Sequence, residues 1–351
     1  VGSYQFSSTG RMRYSSATAF LKPAMKRSNL TVKTNALVSK VLFNKNKAIG
    51  VEWIENNEVK KAYANCEVIL SGGSLQSPQI LQLSGIGPAE LLKKHDIPII
   101  FNSPEVGQNL QDHYQVRGIV KLKNNNGSVN NQSRNPFKIA EWGLRWLLFG
   151  SGPLTCGAGQ VGGAACSKFS KKGRPDLQFN VMPLSVDKPG EPLHNYPGFT
   201  ASVWQCHPES RGSLKIKSTD PKEQAEIRPE YLSTKLDHKR IVDAIKRIRS
   251  IFNQPSFRDL WEKEMLPGDS VKSDEEILHW AKHNGGTVFH AVGTCRMGND
   301  SKSVVDEELN VRGVENLRVI DASVMPQVTS ANTNAPSLMI GEKGVSFITK
   351  N

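Results

Sequence analysis

CEVILSGGSLQSPQILQLSGIG, residues 66–87, holds a strand, a glycine turn and a helix in one run. Cys66–Leu70 is compact and largely apolar, as a buried strand requires, and Ser71-Gly72-Gly73 ends it. The reading places a helix N-cap at Ser77 with Pro78 at the first helical position, where proline's missing N–H does no harm. Ile80, Leu81 and Leu83 give this helix its apolar side, and Gly85 stops it. Two glycines between a strand and a helix let a bound group approach the backbone and face its N–H donors. Ordinary α/β turns share that pattern. The run is not a Gly-x-Gly-x-x-Gly fingerprint, and no convincing strand–helix context elsewhere in the chain supplies one.

Upstream, Leu30, Val32 and Thr34 alternate, and Val38–Phe43 follows. Polar turns at Asn44–Lys47 and Glu55–Glu58 separate Ala48–Ile54 and Val59–Tyr63, so this third reads as an antiparallel meander. Downstream, Pro88 opens a short helix through Leu92. The polar stretch Lys123–Asn135 reads as a loop and as the boundary between two domains. Beyond it lie a helix around Trp142 and Trp146, the glycine-rich run Gly157–Gly163 and further strands. An amphipathic helix over Asp237–Phe252 follows, with Ile241, Ile245, Ile248 and Phe252 on its apolar face. Leu317–Ile320 reads as a strand, Pro326 as a turn, and a terminal helix starts near Pro336.

The 351 residues, 38% hydrophobic and 22% charged, are enough for two domains with sizeable cores. No apolar stretch approaches the ~18–20 residues of a membrane span. Net charge is +12, from 45 basic and 33 acidic residues, but the basic residues are scattered. Lys168, Lys171, Lys172 and Arg174 read as a solvated loop, and Arg240, Lys246, Arg247 and Arg249 as a solvated helix face. A nucleic-acid partner is therefore not expected. Cys66, Cys156, Cys166, Cys206 and Cys295 have no zinc spacing and no Cys-x-x-Cys. Asn29, Asn126, Asn131 and Asn299 stand in Asn-x-Ser/Thr acceptors, a weak pointer to secretion. The chain begins at Val1 without a basic-then-apolar leader, so the expectation is a fragment whose signal, if it has one, lies upstream.

Three further features carry chemistry. His290 stands in VFHAVGT, residues 288–294; histidine is the side chain suited to proton transfer near neutral pH, and among small apolar neighbours it is more often a satisfied core residue. Asp321-Ala322-Ser323 and Thr329–Pro336 bring polar groups, including Asn332 and Asn334, to the start of the last helix, where caps and turns are the default. His279 and His283 are spaced i, i+4, but no third ligand accompanies them, so no metal site is expected.

Taken together and in order, these segments resemble the glucose–methanol–choline oxidoreductase family of FAD enzymes. Gly73–Gly87 fits the family's second signature and Val106–His113 (VGQNLQDH) its usual continuation. His290–Cys295 (HAVGTC) is similar to the active-site histidine motif. Leu317–Pro326 (LRVIDASVMP) and Asn332–Pro336 resemble the closing flavin and active-site segments. The opening, Gly10-Arg11 through Leu21, also resembles the family, especially insect glucose dehydrogenase-like members. The likeness runs from about Gly10 to Lys343. The family's N-terminal ADP-binding βαβ unit and first signature are missing, and Gly344 replaces a better helix former.

The resemblance implies an α/β (α+β) fold: an incomplete Rossmann-type FAD-binding domain and a substrate domain with an antiparallel sheet and helices. Residues 1–115 and 285–351 would form the first and residues 116–284 the second. It implies FAD as cofactor, an alcohol or sugar as substrate, and a quinone-like acceptor or oxygen to take the electrons. His290 would be the base and Asn332 its partner, donating a hydrogen bond to the substrate oxygen. Val38 would contact the adenine through its backbone, and Asp321, Ala322, Thr333 and Asn334 would line the flavin and ribityl chain. Cys295 would be a small buried residue. The rival reading is a non-catalytic module that keeps the fold and holds no flavin.

Overall fold

The meander of the first third forms as read in the computed structural model, which describes residues 1–3, 7–9, 11–124, 127–155, 157, 159–171, 173–187 and 190–349. Leu37–Asn44 pairs antiparallel with Lys47–Glu55, which pairs in turn with Glu58–Tyr63. Asn56 and Asn57 both take positive φ, 53° and 64°, the type I′ geometry that matches strand twist. Leu30–Thr34, expected to extend the meander, is irregular: Leu30 and Val32 are exposed and face no partner strand, so alternation alone forms nothing. Gly10, Asn126, Cys156, Ala158 and Lys172, all used in the sequence reading, lie outside the described residues.

Two compact units divide the chain. One takes residues 33–113, 206–237 and 287–351, the other residues 1–32, 114–205 and 238–286. This grouping is more interleaved than three consecutive segments.

In the first unit, Val68–Leu70 pairs in parallel with Leu317–Val319, bringing residues far apart in sequence into one register. Val41, Val68, Leu70, Leu81, Val292, Val319 and Val324 share the core around this pair. The helix after the glycine turn spans Gly73–Leu83, about five residues earlier than the expected start at Pro78, with Gly72 as N-cap and Pro78 inside. An interior proline withholds the N–H that the carbonyl four residues back would accept. Here that carbonyl belongs to Ser74, and the Thr294 hydroxyl donates to it at 2.7 Å. The tertiary partner makes the interior proline tolerable. Ser77, read as a cap, instead donates to Asp321 across the fold.

The last helix, Asn334–Ile348, contains Gly344. A Cβ there would stand 2.6 Å from Cγ2 of Ile320. The glycine is thus a close-packing position, not merely a weak helix former.

The second unit is built on an antiparallel sheet. Gly2–Ser3, Val161–Ala165, Leu177–Met182, Gly198–Gln205, Tyr114–Leu122 and Trp261–Leu266 pair in that order. The amphipathic helix spans Lys235–Phe252, and Ile241, Ile245, Ile248 and Phe252 are buried as read, worth roughly 1.5–3 kcal/mol each. Gly118 lets it approach the sheet, since a Cβ there would meet Ile248 Cγ2 at 2.5 Å.

Two expectations in this unit need correction. Arg240 is not solvated: it is buried 3.1 Å from Asp176, and Arg249 and Arg247 pair with Glu264 and Asp243. Charged residues on a helix read as surface until a facing carboxylate draws them in. The Asn-rich stretch is not simply a loop either. Val129–Gln132 is a short helix capped by Ser128, and Asn130 is fully buried, donating to Ser185 and His194. Its amide is satisfied by backbone that lies far along the sequence.

Among the described residues no helix is long and apolar enough to cross a membrane. Cys66, Cys166, Cys206 and Cys295 are thiols, with Cys295 fully buried as expected and its pKa raised by that burial.

Candidate active site

Two short segments of the first unit run antiparallel and set the geometry. Gln111 and Val292 exchange both backbone hydrogen bonds, and Val288 N–H donates to the carbonyl of His113. In this register, two residues on, His113 stands opposite His290. Their Nδ1 atoms lie 2.9 Å apart, and the rings meet edge to face with centroids 5.2 Å apart. Both histidines are buried.

Asp112 fixes the pair. Its Oδ1 accepts the backbone N–H of His113 at 2.8 Å and of His290 at 2.9 Å. Its Oδ2 accepts the hydroxyls of Tyr231 and Thr287, each at 2.5 Å. Four donors hold one carboxylate, which in turn holds two imidazole-bearing backbones. Between Thr287 and His290, Phe289 has φ of 62° and is 79% exposed. A bulky residue in the left-handed region stores strain that the surrounding bonds must maintain.

His290 Nε2 lies 3.0 Å from Asn332 Nδ2. The catalytic pair expected from sequence is therefore brought together, although 42 positions separate its members. Burial lowers the His290 pKa, and the Asp112 charge acts in the opposite sense. His113 falls further, to about 4, chiefly through burial, with His290 and His207 adding to the effect and the Cys206 and Thr329 carbonyls opposing it. At neutral pH both imidazoles are uncharged.

The expected cofactor-lining residues fall into two groups. Asp321 sits at the end of the parallel strand pair, and its carboxylate is saturated: Oδ2 accepts from Gly73 N–H and Ser77 Oγ, Oδ1 from the Ser323 N–H and hydroxyl. Ala322 follows in a single 3₁₀ turn and is half-buried. Thr333 is the buried N-cap residue of the last helix, and Asn334, its first residue, is exposed. Val38 stands apart on the meander, opposite Trp53, on the strand that meets the far end of the Gly73–Leu83 helix through Val41 N–H and Ser84 Oγ.

The sequence alone gives no role to Asp112 or His113, although both lie inside the VGQNLQDH motif. An acidic residue beside a histidine just before a strand was the available signal. Tyr231, Thr287 and Thr294 gave none, since their partners are fixed only by the fold. His279 and His283 share the helix Asp274–Asn284 in the other unit, where His283 Nδ1 donates to the His279 carbonyl. Among the described residues no group of three or more potential ligands surrounds a metal position.

Two family models, both described as GMC oxidoreductase, match residues 1–115 and 208–341. An alcohol dehydrogenase [acceptor] of Pseudomonas putida is 39% identical over 360 residues, covering 100% of this chain and 63% of that protein. The mitochondrial choline dehydrogenase of Homo sapiens is 38% identical over 338 residues, covering 96% of this chain and 56% of its own length. A solved FAD-dependent oxidoreductase from Chaetomium thermophilum superposes with a TM-score of 0.87 at 26% identity, covering 97% of this chain and 65% of that one. A formate oxidase of Aspergillus oryzae gives a TM-score of 0.86 at 26% identity, over 93% of this chain and 62% of that one. The chain thus spans less than two thirds of the length of these relatives. With both family models matched across most of its residues, the chain belongs to the GMC oxidoreductase family.

Proposed function

We propose that this chain carries the catalytic groups of an FAD-dependent oxidoreductase that oxidises a CH–OH group of an alcohol or sugar. The observation that carries this reading is the His290 Nε2–Asn332 Nδ2 pair, 3.0 Å apart and joined to a neutral, buried histidine. The P. putida and human relatives, named for alcohol and choline, support the substrate class. The opening segment's likeness to insect glucose dehydrogenases favours a sugar and a quinone-like acceptor, with oxygen as the alternative acceptor. In functional terms residues 1–115 and 285–351 serve the cofactor and residues 116–284 the substrate. The acceptors Asn29 and Asn299 are exposed, which suits a secreted glycoprotein.

The residues present fit the cofactor. Gly73 has φ of 78°, and a Cβ placed there would meet nothing within 4 Å, so backbone is open to close approach. The first turn of the Asn334–Ile348 helix carries no side-chain cap, leaving its N–H donors to a bound polar edge. Asn332 and Asn334 are exposed beside it. Asp321, Ala322, Thr333 and Asn334 would hold the flavin end and the Val38 backbone the adenine.

When bound, FAD would supply the acceptor for the hydride of the substrate carbon. The protein's share is the proton and the oxygen. His290 Nε2 takes the hydroxyl proton, and Asn332 Nδ2 donates a hydrogen bond to the oxygen as negative charge grows on it. An amide cannot accept the proton, so the two residues have unequal tasks. Asp112 stabilises the imidazolium that His290 becomes.

The test is the visible spectrum of the purified chain near about 450 nm, where oxidised flavins absorb, after adding FAD. Retained absorbance that an alcohol or sugar bleaches, and that His290→Ala leaves unbleached, is the expected result. A folded chain that retains no flavin sinks the reading for this chain and favours a non-catalytic module.

A further inference from the structure

We propose that His113 is a positioning residue that sets the tautomer of His290, placing its proton on Nδ1 and leaving the Nε2 lone pair turned toward Asn332. The catalytic consequence rests on His290 being the base, but the tautomer itself does not.

The argument follows the protons. His113 Nε2 lies 3.2 Å from the carbonyl oxygen of Cys206. A carbonyl has no proton to give, so Nε2 of His113 must carry one. His113 is completely buried, and its pKa of about 4 keeps it uncharged near neutral pH. A neutral imidazole has one N–H, so Nδ1 of His113 is a bare acceptor. That atom stands 2.9 Å from Nδ1 of His290. Two lone pairs at that distance repel, so the proton of the contact belongs to His290 Nδ1. His290 then has its second nitrogen, Nε2, unprotonated, where Asn332 Nδ2 lies 3.0 Å away.

The backbone secures the arrangement. Asp112 Oδ1 binds both histidine N–H groups, and the Gln111–Val292 ladder holds the two segments in register. Rotation of either ring therefore breaks a buried hydrogen bond. The ionisable groups facing the pair are Asp112, His207 and, through Asp112, Tyr231. Without an acceptor at His113 Nδ1, His290 is free to place its proton on Nε2. It then presents a donor to a substrate hydroxyl and cannot act as base.

The deciding experiment is nitrogen NMR of the full chain labelled with ¹⁵N-histidine, near neutral pH, with His113→Asn and His290→Gln spectra to assign the signals. The expected spectrum shows His290 protonated at Nδ1 and His113 at Nε2. A His290 signal protonated at Nε2 overturns the proposal, whatever the activity. With FAD and a substrate that turns over, His113→Asn keeps an acceptor oxygen at the Nδ1 position and should stay within a few fold of the parent. His113→Leu removes that acceptor and should lower kcat at least about 10-fold with little change in KM, while shifting the pH at which activity rises. Equal loss in both variants, or a pH profile that neither moves, counts against the positioning role. Undiminished turnover in His290→Ala overturns the reading of His290 as base and the catalytic role of His113 with it; the nitrogen spectra decide the tautomer in either case.

Discussion

Asp112 and Asp321 are built alike and hold different things. Each carboxylate accepts two backbone N–H groups and two hydroxyl contacts, so neither has a lone pair left for chemistry at an acidic side chain. Asp112 gathers the backbones of two histidines whose ring nitrogens face each other. Asp321 gathers Gly73, whose backbone is open, with the buried Ser77 and Ser323, and none of these titrates. An acid inside a family-like motif is thus not by itself an acid catalyst. What its donors carry determines its effect.

The comparison breaks most sharply at Asp112. Asp112→Asn leaves at least one buried donor without its acceptor and loosens the His290 backbone. The expected losses are about 3 kcal/mol of stability, read by urea unfolding, and about 10²-fold in kcat of the flavin-loaded chain. Asp321→Asn should cost a similar stability, about 2–3 kcal/mol, yet act on flavin affinity, weakening it roughly 10-fold with kcat of the loaded chain nearly unchanged. Equal kcat losses in the two variants would erase the distinction.

The histidine side also predicts a pH dependence of stability. Unfolded His113 takes up a proton near 6.5, and the folded residue resists until about 4. Between those values the unfolded state binds more protons, so stability falls as pH falls through the window and is flat above it. The effect is on the order of 3 kcal/mol when complete, and the lowered pKa of His290 works in the same direction. Chemical denaturation between pH 4 and 8 should show a much flatter curve for His113→Asn than for the parent.

The smallest effect concerns the brace beneath both regions. Thr294→Val keeps the shape and removes the hydroxyl that replaces the N–H withheld by Pro78. The buried Ser74 carbonyl then lacks a donor, at about 1–3 kcal/mol. Adding Pro78→Ala returns a backbone N–H and should recover part of that loss. A strictly additive double variant would mean that Thr294 and Pro78 act independently.

Local pattern made much of the fold legible. Alternation and polar turns marked the meander, and period-3.6 apolar spacing marked the helix with Ile241 and Ile245. Reading failed where a distant partner overrode local preference. Pro78 reads as a helix start because its missing N–H is harmless there, and only Thr294, more than two hundred residues on, makes an interior proline tolerable. Gly344 reads as a poor helix residue until Ile320 is seen against it. Arg240 reads as solvated until Asp176 faces it.

The sequence by itself determined the family, since GSLQSPQILQLSGIG, VGQNLQDH and HAVGTC are contiguous and chemically distinctive. It also named His290 and Asn332 as a pair, because both stand in such motifs. It left open which nitrogen of His290 would face Asn332, and gave His113 no task. The tertiary structure decided those points. A tautomer depends on which donors and acceptors meet across space, and the Cys206 carbonyl, His113 and His290 lie on three separate stretches of chain that only the folded backbone brings together.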